Sequence, residues 1–174
     1  RDKMMELTNP TLAPYAKEGE VMLRVTAKAK SVEEAEEMMK PVIDMVRETL
    51  GDFVYAIDED SLESVVMRIL GEKNLTLSSA ESCTGGLLQK RITDIPGASK
   101  VFPGGFVTYS DKAKMDFLGI PKEMLEEEGA VSQAVARAMA EAVKEKMGTD
   151  FGIGITGVAG PDPDERGNEV GTVF

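Results

Sequence analysis

A chain of 174 residues, 42% hydrophobic and 29% charged, has room for one ordinary domain or for one full domain with a small companion. Its net charge of −11 argues against a nucleic-acid partner, whose phosphates call for a basic face, though a few backbone amides could still hold one phosphate group. The absence of histidine excludes a Ser-His-Asp triad, a Cys-His pair and a His-ligated metal, and the single cysteine, Cys83, excludes an internal disulfide and a multi-Cys zinc site. Acid and base chemistry near neutral pH must then come from lysine, tyrosine, a thiol or a shifted carboxylate. No apolar run is long enough to cross a bilayer, and Arg1-Asp2-Lys3 leads into no signal-peptide core, so a cytoplasmic protein without a membrane partner is expected.

Residues Val21 to Lys28 alternate, with Val21, Leu23, Val25 and Ala27 on one side, which predicts a half-buried strand. Ser31 and Glu34 form a capping box for a helix running to about Leu50, stopped by Gly51 and kinked at Pro41. Asp52 to Ala56 reads as a second strand, so residues 1–57 make a small β-α-β unit. Asp58-Glu59-Asp60 is a polar break that separates it from residues 58–174.

Beyond the break, Asp60 with Glu63 predicts a helix to about Leu70 whose apolar face is Leu62, Val65, Val66 and Ile69. Strands at Leu75–Ala80, Gly105–Tyr109 and Phe151–Thr156 then alternate with helices. The helices fall at Thr84–Ile95, after Ser110, at Pro121–Glu127 and at Ser132–Met147, the last closed by Gly148. Val170–Phe174 reads as the start of a further strand, and the first residue is not methionine, so more chain is expected at both ends. The alternation predicts an α/β fold, a three-layer α/β/α sandwich on a mixed sheet, preceded by a small α+β domain.

Three stretches lie where such a fold places its sites, at strand ends and the loops after them. Ala80-Glu81-Ser82-Cys83-Thr84-Gly85-Gly86 turns from a strand into a helix, and its glycines and free amides suit an anion or oxyanion. The plainer reading is a turn with Ser82 or Thr84 as helix cap. Thr108-Tyr109-Ser110-Asp111-Lys112-Ala113-Lys114 puts Lys112 in the first turn of a helix capped by Ser110, where the macrodipole disfavours an ammonium and could leave a neutral base. A plain surface lysine is the alternative, and Lys114 is expected to be the solvated one of the two. Ile155-Thr156-Gly157-Val158-Ala159-Gly160-Pro161-Asp162 outlines a phosphate-cradling loop without being a Walker A sequence.

Together AESCTGG, PGAS, VTYSDKAK, GAVS and ITGVAGPD, in this order and spacing, resemble the C-terminal domain of the CinA family over about residues 60–174. Residues 1–57, with Asn9-Pro10-Thr11 and the run Gly19 to Lys28, resemble that family's KH-type middle domain. The resemblance implies hydrolysis of the amide of nicotinamide mononucleotide to nicotinate mononucleotide and ammonia, with neither metal nor organic cofactor. It marks Ser82, Ser99, Tyr109, Lys112 and Thr156 as catalytic or ligand-binding positions, and it carries an expectation of self-association. It also implies a nucleotide-holding arginine that lies past the end of this chain, so weak nucleotide binding is expected of the chain as it stands.

Amide hydrolysis without histidine or metal needs a nucleophile, a base and donors for the oxyanion. On the positions the resemblance marks, the preferred assignment makes a serine the nucleophile, Ser82 or Ser99, with Lys112 as proton acceptor and Tyr109 and Thr156 orienting the substrate. Backbone at Thr84, Gly85, Gly86 and Gly157 would contact the ligand. A rival uses Cys83 with Lys112 and Glu81, since a thiol at a helix start gains nucleophilic character. A rival of another class is a nucleotide-binding or interaction module that turns nothing over. Residues 1–57 hold only Gly19 and Gly51, too few for the Gly-x-x-Gly loop by which KH domains clamp RNA, so they are expected to act as a connector.

Overall fold

The computed structural model describes residues 6–17, 19–58 and 61–174. The chain divides into two compact units, residues 1–57 and residues 58–174.

In the first unit β1 (Thr11–Lys17) and β2 (Glu20–Thr26) pair antiparallel, in register from Thr11 opposite Thr26 to Lys17 opposite Glu20. Asn9 latches the open end of the hairpin: its amide donates to Lys28 O at 2.9 Å and its Oδ1 accepts from Lys28 N at 2.9 Å. Helix α1 (Val32–Leu50) follows and runs through Pro41. Ser31 Oγ accepts from Glu34 N at 3.2 Å while Glu34 Oε2 reaches back to Lys30 N at 2.9 Å, a capping box stretched by one residue. The expected β-α-β order is corrected in two places. Residues Gly51–Phe53 form a 3₁₀ turn and no strand follows at Val54–Ala56. The strand at Thr11–Lys17 was hidden by Pro14, which a two-stranded hairpin tolerates because both of its strands are edges.

The second unit opens with α2 (Leu62–Glu72), capped by Ser61, whose Oγ accepts from Ser64 N at 3.2 Å; Asp60, the expected cap, lies outside the described residues. Val65, Met67 and Leu70 are its buried residues, while Leu62, Val66 and Ile69 are exposed. This corrects the predicted face: the helix is apolar over so wide an arc that periodicity alone does not choose the inner side.

Three parallel strands form the sheet, β3 (Leu77–Glu81), β4 (Gly104–Val107) and β5 (Phe151–Ile155), in the order β4-β3-β5. From β3 the chain passes through α3 (Leu87–Thr93) to β4. It then crosses back over β3 by way of α4 (Asp111–Ala113), α5 (Lys122–Glu128) and α6 (Gln133–Met147) to β5. Because strand residues alternate faces, Leu77, Ser79 and Glu81 look one way and Ser78 and Ala80 the other. Leu77 joins a cluster with Leu70, Ile92, Val101 and Phe102, whereas Ala80 joins Leu118, Ile120, Val135, Met139 and Val143. A core on each face of the sheet is the three-layer arrangement. Helix α6 begins at the Ser132 cap, ends at Gly148 (φ +65°), and buries Val135, Met139 and Val143 completely.

The contact of α6 with β5 is unusually close. A Cβ on Gly152 would lie 2.1 Å from Ala140 O, and one on Gly154 would lie 2.1 Å from Ala136 O. Only glycine at both positions lets the helix backbone rest on the strand. The last segment differs from the expected strand Val170–Phe174. Thr156 N donates to Phe174 O at 3.1 Å, Phe174 N to Thr156 O at 2.9 Å and Val158 N to Thr172 O at 2.9 Å, so the chain returns antiparallel along the loop after β5.

Candidate functional site

Strands β3 and β4 end side by side, and the chain after β3 packs Ile92 on one face while the chain after β4 packs Leu118 on the other; a sheet opens a crevice where neighbouring connections diverge in this way. Ser82, the residue after β3, donates its N–H to Ile155 O at 2.9 Å and is 7% exposed. By strand alternation its hydroxyl falls on the α6 face. There it meets Lys114, whose Nζ lies 3.2 Å from Ser82 Oγ, 3.1 Å from Thr108 O and 3.5 Å from Tyr109 O. Lys114 is 1% exposed, and loss of water pushes its ammonium below the ordinary lysine range, while Asp111 and Cys83 pull the other way.

This burial corrects the expected exposure of the two lysines. Ser110 caps the turn as expected, its Oγ accepting from Ala113 N at 3.1 Å. Lys112, however, points into solvent with 78% of its side chain exposed and pairs with Asp116. Two residues on, roughly 200° around a helix, Lys114 faces the end of the sheet. Its N–H bonds Ser110 O at 3.0 Å, one turn above the strand end it contacts. The helix then widens into a π turn over Lys114–Leu118, a device that recurs at functional sites.

A neutral amine has two hydrogens and one lone pair. In the structure Lys114 Nζ donates to Ser82 Oγ and the Ser82 hydroxyl donates to Tyr109 O at 3.5 Å. Once the amine is neutral, Thr108 O and Tyr109 O can take its two hydrogens and leave the lone pair for the Ser82 hydroxyl proton. That is a nucleophile and base geometry that needs no histidine.

The turn after Ser82 is set by a residue whose part the sequence did not disclose. Glu81 is completely buried; its Oε2 accepts from Gly86 N and Leu88 N, both at 3.1 Å, and its Oε1 from Gln89 N at 2.8 Å. The carboxylate thus caps α3 from the preceding strand, in place of the expected Ser82 or Thr84. Gly85 N–H is also taken, by Ser82 O at 3.0 Å. Gly85 and Gly86 therefore have no amide to offer a ligand, contrary to expectation. Among the described residues the N–H groups of Cys83 and Thr84 have no acceptor, and the buried hydroxyls of Thr84 and Thr108 have no partner. Helix α3 itself is only seven residues long and starts three residues later than predicted, at Leu87.

The remaining expected residues scatter. Tyr109 brings its carbonyl to Lys114 while its side chain is mostly outside, the residue being 71% exposed. Thr156 is buried and spends its hydroxyl on Ala130 O at 2.7 Å, tying the loop after β5 to the entry of α6. A Cβ on Gly157 would lie 3.0 Å from Cys83 Sγ, so this loop abuts the Ser82 turn. Cys83 is half-buried between them. Ser99 sits on the 3₁₀ turn Ala98–Lys100 before β4, exposed, near where Leu77 N bonds Val101 O. That is the opposite end of the sheet from Ser82, and within one chain the two serines do not meet. No cluster of three or more potential metal ligands occurs among the described residues.

The loop from Gly160 to Gly171 is pinned at its middle. Asp164 accepts from Arg166 N and Asn168 N, Asn168 Nδ2 donates to Val131 O at 3.2 Å, and the Arg166 guanidinium bonds the carbonyls of Glu126 and Glu127 at the end of α5.

Comparison with known families matches residues 59–174 to the CinA C-terminal domain and residues 2–56 to the damage-inducible protein CinA KH domain. A CinA-like protein of Dictyoglomus turgidum is 49% identical over 174 residues, covering 100% of this chain and 42% of the relative. A CinA-like protein of Desulfovibrio desulfuricans is 53% identical over 171 residues, 98% of this chain and 40% of the relative. This chain therefore spans about two-fifths of the length of such relatives. A crystal structure of a competence-damaged protein (CinA) superfamily protein from Escherichia coli superposes with a TM-score of 0.64 at 39% identity, covering 68% of this chain and 70% of that one. A Klebsiella pneumoniae competence damage-inducible protein A gives 0.61 at 36% identity, covering 62% and 67%.

Proposed function

The chain belongs to the CinA family, and from that premise we propose that its second unit hydrolyses the amide of nicotinamide mononucleotide, with Ser82 as nucleophile and Lys114 as base. The observation that carries the reading is the buried contact of Lys114 Nζ with Ser82 Oγ at 3.2 Å, in a chain without histidine. In the neutral state Lys114 takes the hydroxyl proton as Ser82 Oγ bonds to the carboxamide carbon. The free amides of Cys83 and Thr84, beside the nucleophile, receive the negative charge that develops on the carbonyl oxygen. The ammonium then returns its proton to the departing nitrogen, which leaves as ammonia and breaks the C–N bond. Water, deprotonated by the same lysine, adds to the ester carbon; the bond to Ser82 Oγ breaks as the lysine gives that proton to the serine, and the acid product loses its own proton to solvent and leaves as a carboxylate.

The reaction requires no metal and no organic cofactor, and its partner is a small nucleotide. The first unit is read as a connector without RNA affinity. Ammonia release from nicotinamide mononucleotide is the direct assay. Ser82→Ala should lower kcat by at least about a thousandfold, as loss of a nucleophile does elsewhere, while Ser99→Ala and Cys83→Ala retain turnover. Full activity in Ser82→Ala would remove the serine from the mechanism. Calorimetric binding with no ammonia released by the parent would favour a binding module instead.

A further inference from the structure

Asp111 opens the helical turn that carries Lys114, and its Oδ1 lies 3.8 Å from Lys114 Nζ. The two ends of this pair sit in different media: the lysine side chain is 2% exposed and the aspartate side chain 57%. The lysine's hydrogen-bond partners are neutral, namely Ser82 Oγ, Thr108 O and Tyr109 O. Other titratable groups nearby are accounted for. Cys83 adjoins from the turn after β3. Glu81 lies on the opposite face of that strand and is spent on the amides of α3. Lys112 and Asp116 pair with each other toward solvent. Helix α6 contributes apolar Val135 and Met139 to the cluster next to Met115 and Leu118. At the end of β5, Thr156 bonds Ala130. Among the described residues Asp111 is the one carboxylate paired with Lys114.

We propose that Asp111 is a positioning residue for the Ser82–Lys114 reaction: from the rim it holds the Lys114 amine toward Ser82 and sets the pH above which that amine can accept a proton. The inference rests on the amidase reading given above for its catalytic part. A buried ammonium lacks the water that would stabilise it, and a carboxylate at ion-pair distance restores part of that stabilisation while keeping its own hydration. Asp111 therefore favours the charged lysine and makes the neutral one a stronger base.

Removing the charge has opposite effects at the two ends of the pH range. In Asp111→Asn the lysine deprotonates more readily, so the acidic limb of kcat/KM moves down by about half a pH unit, the size of a half-exposed ion pair. On that limb the variant is then about threefold faster than the parent. On the alkaline plateau it is equal or slower, because a weaker base accepts the proton less well. Rising ionic strength should shrink the gap between the two profiles, since the carboxylate stands in solvent. Asp111→Glu should restore the parent profile in large part. A purely structural loss would lower activity at all pH values and leave the limb in place.

The test pairs these profiles with direct titration of Lys114 in the full chain, by carbon-13 NMR of labelled lysines, with Lys114→Met identifying the signal. The expected result is a Lys114 midpoint lowered by about half a unit in Asp111→Asn, with the acidic limb moving in step. An unmoved midpoint overturns the proposal, as does a midpoint that moves while the limb stays. If the midpoint moves and the parent releases no ammonia, the Asp111–Lys114 coupling stands and the amidase reading is the one that fails.

Discussion

Lys112 and Lys114 show what one residue's environment decides. They are two positions apart, yet the side chain of one is 78% exposed and the other residue is 1% exposed. Lys112→Ala should leave ammonia release within a factor of about two, since exposed ion pairs contribute little, and Lys114→Met should abolish it. The same substitution should change the dependence of stability on pH. A lysine whose folded pKa is depressed costs stability wherever it is protonated in both states, and that cost is relieved as pH rises through the folded midpoint toward the ordinary lysine value. Urea unfolding of the parent should therefore show stability rising across that window, and Lys114→Met should lack the component. A parent whose stability is flat there would mean that Lys114 titrates normally. The sequence put Lys112 inward and Lys114 in solvent, and the structure has them the other way round, because helical phase depends on where the cap falls and on the π turn that follows. The glycine-rich strand end pointed to Ser82 without choosing between it and Ser99, and Glu81 was not legible as a cap because the carboxylate precedes the helix it serves by six residues.

At the scale of elements, the alternating apolar runs disclosed β3, β4, β5 and α6 to within two residues, since each buries a face and carries its own stop signals. What they could not disclose is spacing between layers. Gly152 and Gly154 read as ordinary strand glycines until the approach of Ala136 and Ala140 explains them. Gly154→Ala should destabilise the second unit by about 1–3 kcal/mol, the range for forcing extra volume into a packed core. Denaturant midpoints compared for Gly154→Ala and for Gly148→Ala, the latter strained only by its positive φ, separate packing from backbone effects. If Gly154→Ala were neutral, the helix would have to yield at no cost. The hairpin of the first unit was half visible, as β2 alternates clearly and β1 carries a proline.

For the whole molecule, the division at residues 57 and 58 puts each proposed catalytic group in the second unit. Residues 58–174 alone should then release ammonia with the kcat/KM of the longer chain, measured side by side. A loss above tenfold would assign the first unit a part in the chemistry. Residues 1–57 should show no salt-dependent affinity for single-stranded RNA by fluorescence anisotropy, in keeping with a chain of net charge −11.

The buried Glu81 carboxylate has a kinetic consequence. An anion is already seated on the first amides of α3, so the Ser82 turn holds its shape before any nucleotide arrives, and no ordering is left to be driven by binding. Amide hydrogen exchange can watch this directly. Gly86, Leu88 and Gln89 should exchange slowly in the free protein and no slower with nucleotide present, while Cys83 and Thr84 should gain protection only on its addition. Protection appearing at all five together would mean a turn that is assembled by its ligand rather than waiting for it.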